Sequence, residues 1–139
     1  MNAAFFLRPK AEVSFLYADM PLPQALEEMR SHRYSSVPVI GRDGMYVSTV
    51  SEGDFLYALV KPEAQEIRLA DAEAMREAPL SAILREDRNP PCHINVAIVD
   101  LLERTAAQNF VPIVDDRGIF IGIVTRRSVI QFFLKERGE

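Results

Sequence analysis

The sequence predicts an α+β fold in which one short unit is used twice. The first observation is an internal repeat. "SSVPVIGRDGMYVSTVSEGDFLYALV" (35–60) and "NFVPIVDDRGIFIGIVTRRSVIQFFL" (109–134) align without a gap, setting Pro38 on Pro112, Gly44 on Gly118 and Ser51 on Thr125, each 74 positions apart. The pairs Val39/Ile113, Tyr46/Phe120, Val47/Ile121, Val50/Val124 and Leu56/Ile130 keep their apolar character. The second observation is a switch inside each copy from a strand–turn–strand pattern to a helical apolar face. The third is composition. With 48% hydrophobic and 26% charged residues, the 139-residue chain has the balance of a globular domain able to bury a core without staples.

The elements follow in chain order. Short extended segments near Val13–Leu16 and His93–Asn95 lead into the two copies. "LPQALEEMRSHR" opens with Pro23 near a first helical turn and spaces Leu26, Met29 and Arg30 as a helix does. "VPVIGRDGMYVSTV" reads as strand, Asp-Gly turn and strand, and "SEGDFLYALV" resumes an apolar helical face. "KPEAQEIRLADAEAMREAPLSAILRED" is a charged linker with a helix of its own. The second copy offers "AIVDLLERTAAQ" as helix, "FVPIV" and "IFIGIV" as strands joined through Asp115–Gly118, and "RRSVIQFFLKER" as the closing helix. The expected organisation is an N-terminal segment and first repeat over 1–62, a linker over 63–78 and a second repeat over 79–139. Neither copy buries its sheet face alone, so the two are expected to pack about a pseudo-twofold axis.

Several function classes are disfavoured at this level. A net charge of −4, a pI near 5.3 and the lack of a basic stripe argue against nucleic acid. "MNAAFFLRPKAEV" has too short an apolar stretch for a signal peptide or membrane span, and the lone Cys92 cannot form an internal disulfide, so a cytoplasmic protein is expected. Catalysis is not expected. Cys92 and His93 are neighbours on an extended segment, where adjacent side chains point to opposite faces and do not form a nucleophile–base pair. His32 is the only other histidine, and no Cys/His cluster has metal-ligand spacing.

Charge placement at the two equivalent helix starts singles out candidate residues. Ser51 with Asp54 fits a capping box, and Thr125 is the cap of the second copy. Arg126 and Arg127 occupy the first turn of the closing helix, where the macrodipole favours acids and disfavours bases. Something negative is therefore expected beside them, and a phosphate would be favoured there by helix N–H groups, dipole and guanidinium forks together.

The twice-used pattern of helix, "VPV", "DG", strand and S/T-x-x-D/S helix resembles a pair of CBS domains, the Bateman module, over nearly the whole chain. More narrowly, "FLRPKAEV", "YSSVPV", "CHIN" and "TRRSVI" resemble the small stand-alone bacterial CBS proteins that bind cyclic di-AMP. The resemblance implies tandem β-α-β-β-α repeats without chemistry of their own, which bind an adenine nucleotide between repeats and alter a partner protein. It places Val13, Ser14, Tyr34, Ser35 and Ser36 with Thr125, Arg126 and Arg127 in a main ligand cleft, with Tyr34 covering adenine. Ser51, Asp54, His93, Ile94 and Phe110 line a second cleft, where Asp54 suits ribose hydroxyls. Lys10 lies near enough in sequence to help neutralise a second phosphate. Three residues depart from the family pattern: Glu12 stands near where some relatives have a base, Ser48 replaces a glycine matched by Gly122, and Ser128 replaces the second ribose-binding acid. The implied ligand is cyclic di-AMP, with AMP, ADP or ATP as the alternative; no metal or other cofactor is implied. A ligand-free adaptor dimer is the remaining reading, and it requires Arg126 and Arg127 to pair with protein acids. A homodimer is expected because "FLYALV" and "VIQFFL" are more apolar than one buried face requires.

Overall fold

Both predicted strand–turn–strand segments are hairpins, each followed directly by a helix. A computed structural model describes residues 2–60 and 72–137. The elements are α1 (Ala3–Phe6), β1 (Arg8–Pro9), β2 (Leu16–Tyr17), α2 (Leu22–Ser31), β3 (Ser36–Ile40), β4 (Tyr46–Ser51), α3 (Glu52–Val60), α4 (Ala72–Glu77), β5 (Cys92–His93), α5 (Ile98–Ala107), β6 (Phe110–Val114), β7 (Phe120–Thr125) and α6 (Arg126–Arg137), with 3-10 turns at Lys10–Glu12 and Leu80–Ile83. The mixed α/β fold of two like repeats is the one the sequence predicts. Each repeat has a short lead strand parallel to the first hairpin strand: Leu16 opposite Val39, and Cys92 opposite Ile113. These lead strands fall at Leu16–Tyr17 and Cys92–His93; Val13 has extended backbone, as expected, but closes a 3-10 turn and lies outside the strand. Part of the predicted linker, 63–71, lies outside the described residues, and α4 supplies the helix expected of it.

The chain divides into two compact units. One comprises residues 15–42 and 47–88 and holds the three-stranded sheet β2-β3-β4. In α2, Leu22, Ala25 and Met29 are buried at helical spacing, with Pro23 in the first turn where its missing N–H costs nothing. They join Leu16, Val37, Val39, Val50, Phe55 and Leu80 in one core. Leu22 N–H donates to Ala78 (2.9 Å) and Leu80 N–H to Met20 (2.8 Å), so the end of the linker is stitched to the start of α2.

The other unit comprises residues 1–14, 43–46 and 89–139 and holds the sheet β1-β7-β6-β5. The first residues of the chain thus cluster with the second repeat, not with the repeat they precede. β1 runs antiparallel to β7, with Arg8 opposite Ile123 and Pro9 opposite Gly122. That approach needs a glycine: a Cβ on Gly122 would stand 2.2 Å from the Arg8 carbonyl oxygen. The same segment is held by α1, whose Phe5 and Phe6 rings meet Phe132 edge-on at 5.0 and 5.3 Å. The turn residues 43–46 pair with the other hairpin's tip, since Phe120 N–H donates to Gly44 (2.9 Å) and Met45 bridges Ile119.

Candidate functional site

The start of α6 is built by its cap. Thr125 Oγ accepts from Ser128 N–H at 3.0 Å, and the two hydroxyls lie 2.7 Å apart. The adjacent arginines, alike in sequence, then part company. Arg126 turns back across α5, where its Nε donates to the Thr105 carbonyl (2.8 Å) and a terminal nitrogen to Ala106 (3.2 Å). Those carbonyls belong to the last turn of α5, the negative end of its dipole, so the counter-charge of Arg126 is a helix terminus. Arg127 makes no side-chain hydrogen bond or ion pair to any described residue, and it lines a cleft of ≈ 460 Å³ with Arg8, Glu12, Thr125, Ser128 and Gln131. The cleft therefore carries two guanidiniums, one carboxylate and two cap hydroxyls beside a helix amino terminus.

The remaining residues assigned to the main cleft are divided between the units. Val13 is half-buried and Ser14 exposed, in the same unit as Thr125, Arg126 and Arg127. Lys10 opens the 3-10 turn that leads to Val13. Tyr34, Ser35 and Ser36 belong to the other unit: Tyr34 is half-buried against its core and stacks on His32 with centroids 5.3 Å apart, Ser35 is exposed, and Ser36 begins β3. Tyr34 thus anchors the end of α2 with its ring.

The residues assigned to the second cleft are divided likewise, with Ser51 and Asp54 in one unit and His93, Ile94 and Phe110 in the other. Asp54 is only 4% exposed and its carboxylate is saturated. It accepts from Ser51 N–H (2.7 Å) and Ser51 Oγ (3.1 Å), from Arg88 on both oxygens (2.9 and 3.1 Å), and pairs with Arg85 at 3.3 Å. For Asp54 to accept from another group, at least one of those donors would have to be displaced. His93 Nδ1 accepts from Asn95 N–H at 3.0 Å, which leaves the proton on Nε2 to donate to Asp116. Ile94 packs against the core of its unit, and Phe110 is buried and opposes Thr125 across the β6–β7 hairpin. Cys92 is buried in that core, where desolvation pushes its thiol pKa up.

Arg8, Arg85 and Arg88 were not singled out by sequence reasoning. Arg85 lies near the end of the stretch read as a charged linker and Arg88 just beyond it, and Arg8 lies in a segment whose sheet pairing is long-range. Ser48 offered a usable signal. It is buried where the other repeat has Gly122, and its Oγ donates to the Arg85 carbonyl at 3.0 Å.

Two repeats of this α/β unit, each with a helix directly after its hairpin, define a paired-repeat fold. A family model described as CBS domain matches residues 9–61 and 89–135, and the chain belongs to that family. An uncharacterized protein of Methanocaldococcus jannaschii, MJ1426, is 29% identical over 139 aligned residues, spanning 84% of this chain and 83% of the relative. The crystal structure of Listeria monocytogenes CbpB in complex with c-di-AMP matches at TM-score 0.83 and 20% identity, covering 98% of this chain and 97% of that one. CBSX2 in complex with AMP matches at TM-score 0.74 and 21% identity, covering 98% of both chains. At these identities the structural likeness establishes the fold.

Proposed function

We propose that the protein is a regulatory module that binds an adenine nucleotide, cyclic di-AMP foremost, at the start of α6 and thereby alters the activity of a partner protein. The observation that carries the reading is Arg127, a guanidinium without a described protein partner at a helix amino terminus, beside Arg8 and the hydroxyls of Thr125 and Ser128. Such an arrangement suits a phosphate. The likeness to a protein solved with c-di-AMP supports that ligand, and the likeness to one solved with AMP supports a mononucleotide as the second reading. The ligand-free adaptor reading is the less favoured, because among the described residues Arg126 bonds backbone carbonyls and neither it nor Arg127 pairs with an acid. We place the module in the cytoplasm as a homodimer.

Calorimetric titration with cyclic di-AMP, AMP and ATP side by side tests this. Tighter binding of cyclic di-AMP is expected. A preference for AMP or ATP moves the assignment to the second reading, and heat from none of the three removes the nucleotide function.

A further inference from the structure

The helix starts after the two hairpins are one place in the repeated unit, and their electrostatics are inverted: the 74-residue offset sets Arg126, Arg127 and Ser128 on Glu52, Gly53 and Asp54, and Gly122 on Ser48. In the first repeat, the Arg85 carbonyl lies over Ser48, which donates to it at 3.0 Å, and the Arg85 guanidinium turns onto Asp54, where Arg88 joins it. In the second repeat the Arg8 carbonyl lies over Gly122, close enough to exclude a Cβ. Arg8 is therefore the counterpart of Arg85. Arg8 lines the cleft beside Ser128, with Arg127 as the second cation, and among the described residues neither makes an ion pair.

We infer that Arg8, carried by the N-terminal segment, is a ligand-binding residue that with Arg127 clamps a phosphate group in the position that the Asp54 carboxylate holds in the other repeat. The first repeat shows what this geometry does with an oxyanion: two guanidiniums gather on it and a helix cap donates to it. In the second repeat the shorter Ser128 removes the internal carboxylate and leaves a hydroxyl in its place. Glu12 lines the same cleft and opposes the anion, while Gln131 adds an uncharged amide. The inference rests on the reading of this cleft as the ligand site, and it adds a residue that the folded N-terminal segment must deliver.

The test uses the full chain, three probes (cyclic di-AMP, AMP and inorganic pyrophosphate) and the variants Arg8→Met, Ser128→Asp and the two combined. Arg8→Met is expected to weaken every probe that binds the wild type by about tenfold or more, the scale of one charge-assisted hydrogen bond. Ser128→Asp supplies the internal carboxylate. It should abolish binding and raise the ligand-free melting temperature, and the rise should vanish when Arg8→Met is added. Equal affinity of wild type and Arg8→Met overturns the inference even where cyclic di-AMP binds tightly, and so does a Ser128→Asp protein that binds as before. Pyrophosphate binding that depends on Arg8, in a protein that takes up neither nucleotide, upholds the clamp and removes the nucleotide reading. Failure of all three probes to bind overturns both.

Discussion

Arg126 and Arg127 show how far one residue's surroundings change its meaning. Both oppose the dipole of α6, yet Arg126 is satisfied by the last carbonyls of α5 while Arg127 faces a cleft. Arg126→Met should therefore lower the ligand-free stability by about 1–2 kcal/mol, less than the full contribution of hydrogen bonds to a charged group because Arg126 is half-exposed. Arg127→Met should leave it equal or slightly raised and cut nucleotide affinity by about 1.5–3 kcal/mol. Urea melts and titrations of the two variants decide it; identical behaviour of both would remove the distinction. Asp54 carries a prediction of its own. Its loss strands Arg85 and Arg88, which are half-exposed, so the penalty stays below that of a fully buried pair. Asp54→Ala should cost about 1–3 kcal/mol in urea unfolding, and should leave cyclic di-AMP affinity in the other cleft intact. An Asp54→Ala protein as stable as the wild type would mean that the ion pairs contribute nothing.

At the scale of the element, each hairpin tip is made by an Asp-rich turn and a glycine in the left-handed region, Gly44 at φ 89° and Gly118 at φ 83°. Asp115 organises the second tip. Desolvation alone would raise its pKa, but the N–H groups of Arg117 and Ile119 and the Arg117 guanidinium outweigh that and hold it below the ordinary 3.8. A carboxyl depressed on folding adds stability that is present above the unfolded pKa and lost as pH falls through the folded one. The wild type should therefore exceed Asp115→Asn in melting temperature at pH 7 and lose that margin progressively below pH ~3.8. A margin that survives unchanged at pH 2 would assign the effect to turn geometry rather than charge.

At the scale of the whole molecule, two helices present apolar surface within their own units. On α6, Ile130, Phe133 and Leu134 are 50, 44 and 65% exposed, and on α3 Leu56 and Tyr57 are 60 and 41% exposed. Surface of this kind in a small protein suits a second copy of the chain. Light scattering at micromolar concentration should return the mass of a dimer, and Phe133→Glu should reduce it to that of a monomer. A wild-type monomer would leave those side chains without the expected cover.

The twofold use of one unit, the hairpins, the closing helices, the Thr125 cap and the Ser51–Asp54 contact were legible in the sequence because each rests on local periodicity, turn chemistry or capping. The family resemblance rested on those same short motifs. The contact of Asp54 with Ser51 was legible as a capping box, and the arginine pair was visible as charges out of place, but the charged and carbonyl neighbours of these residues were not legible, since they are distant along the chain: Arg85 and Arg88 for Asp54, the α5 carbonyls for Arg126, Arg8 beside Arg127. A helix dipole tells that a base needs a negative neighbour, and only packing tells which one it meets. The N-terminal segment makes the point most sharply. Arg8 and Pro9 pair with a strand more than a hundred residues later, through a contact that the missing Cβ of Gly122 permits, and no local pattern in "FLRPKAEV" encodes that register.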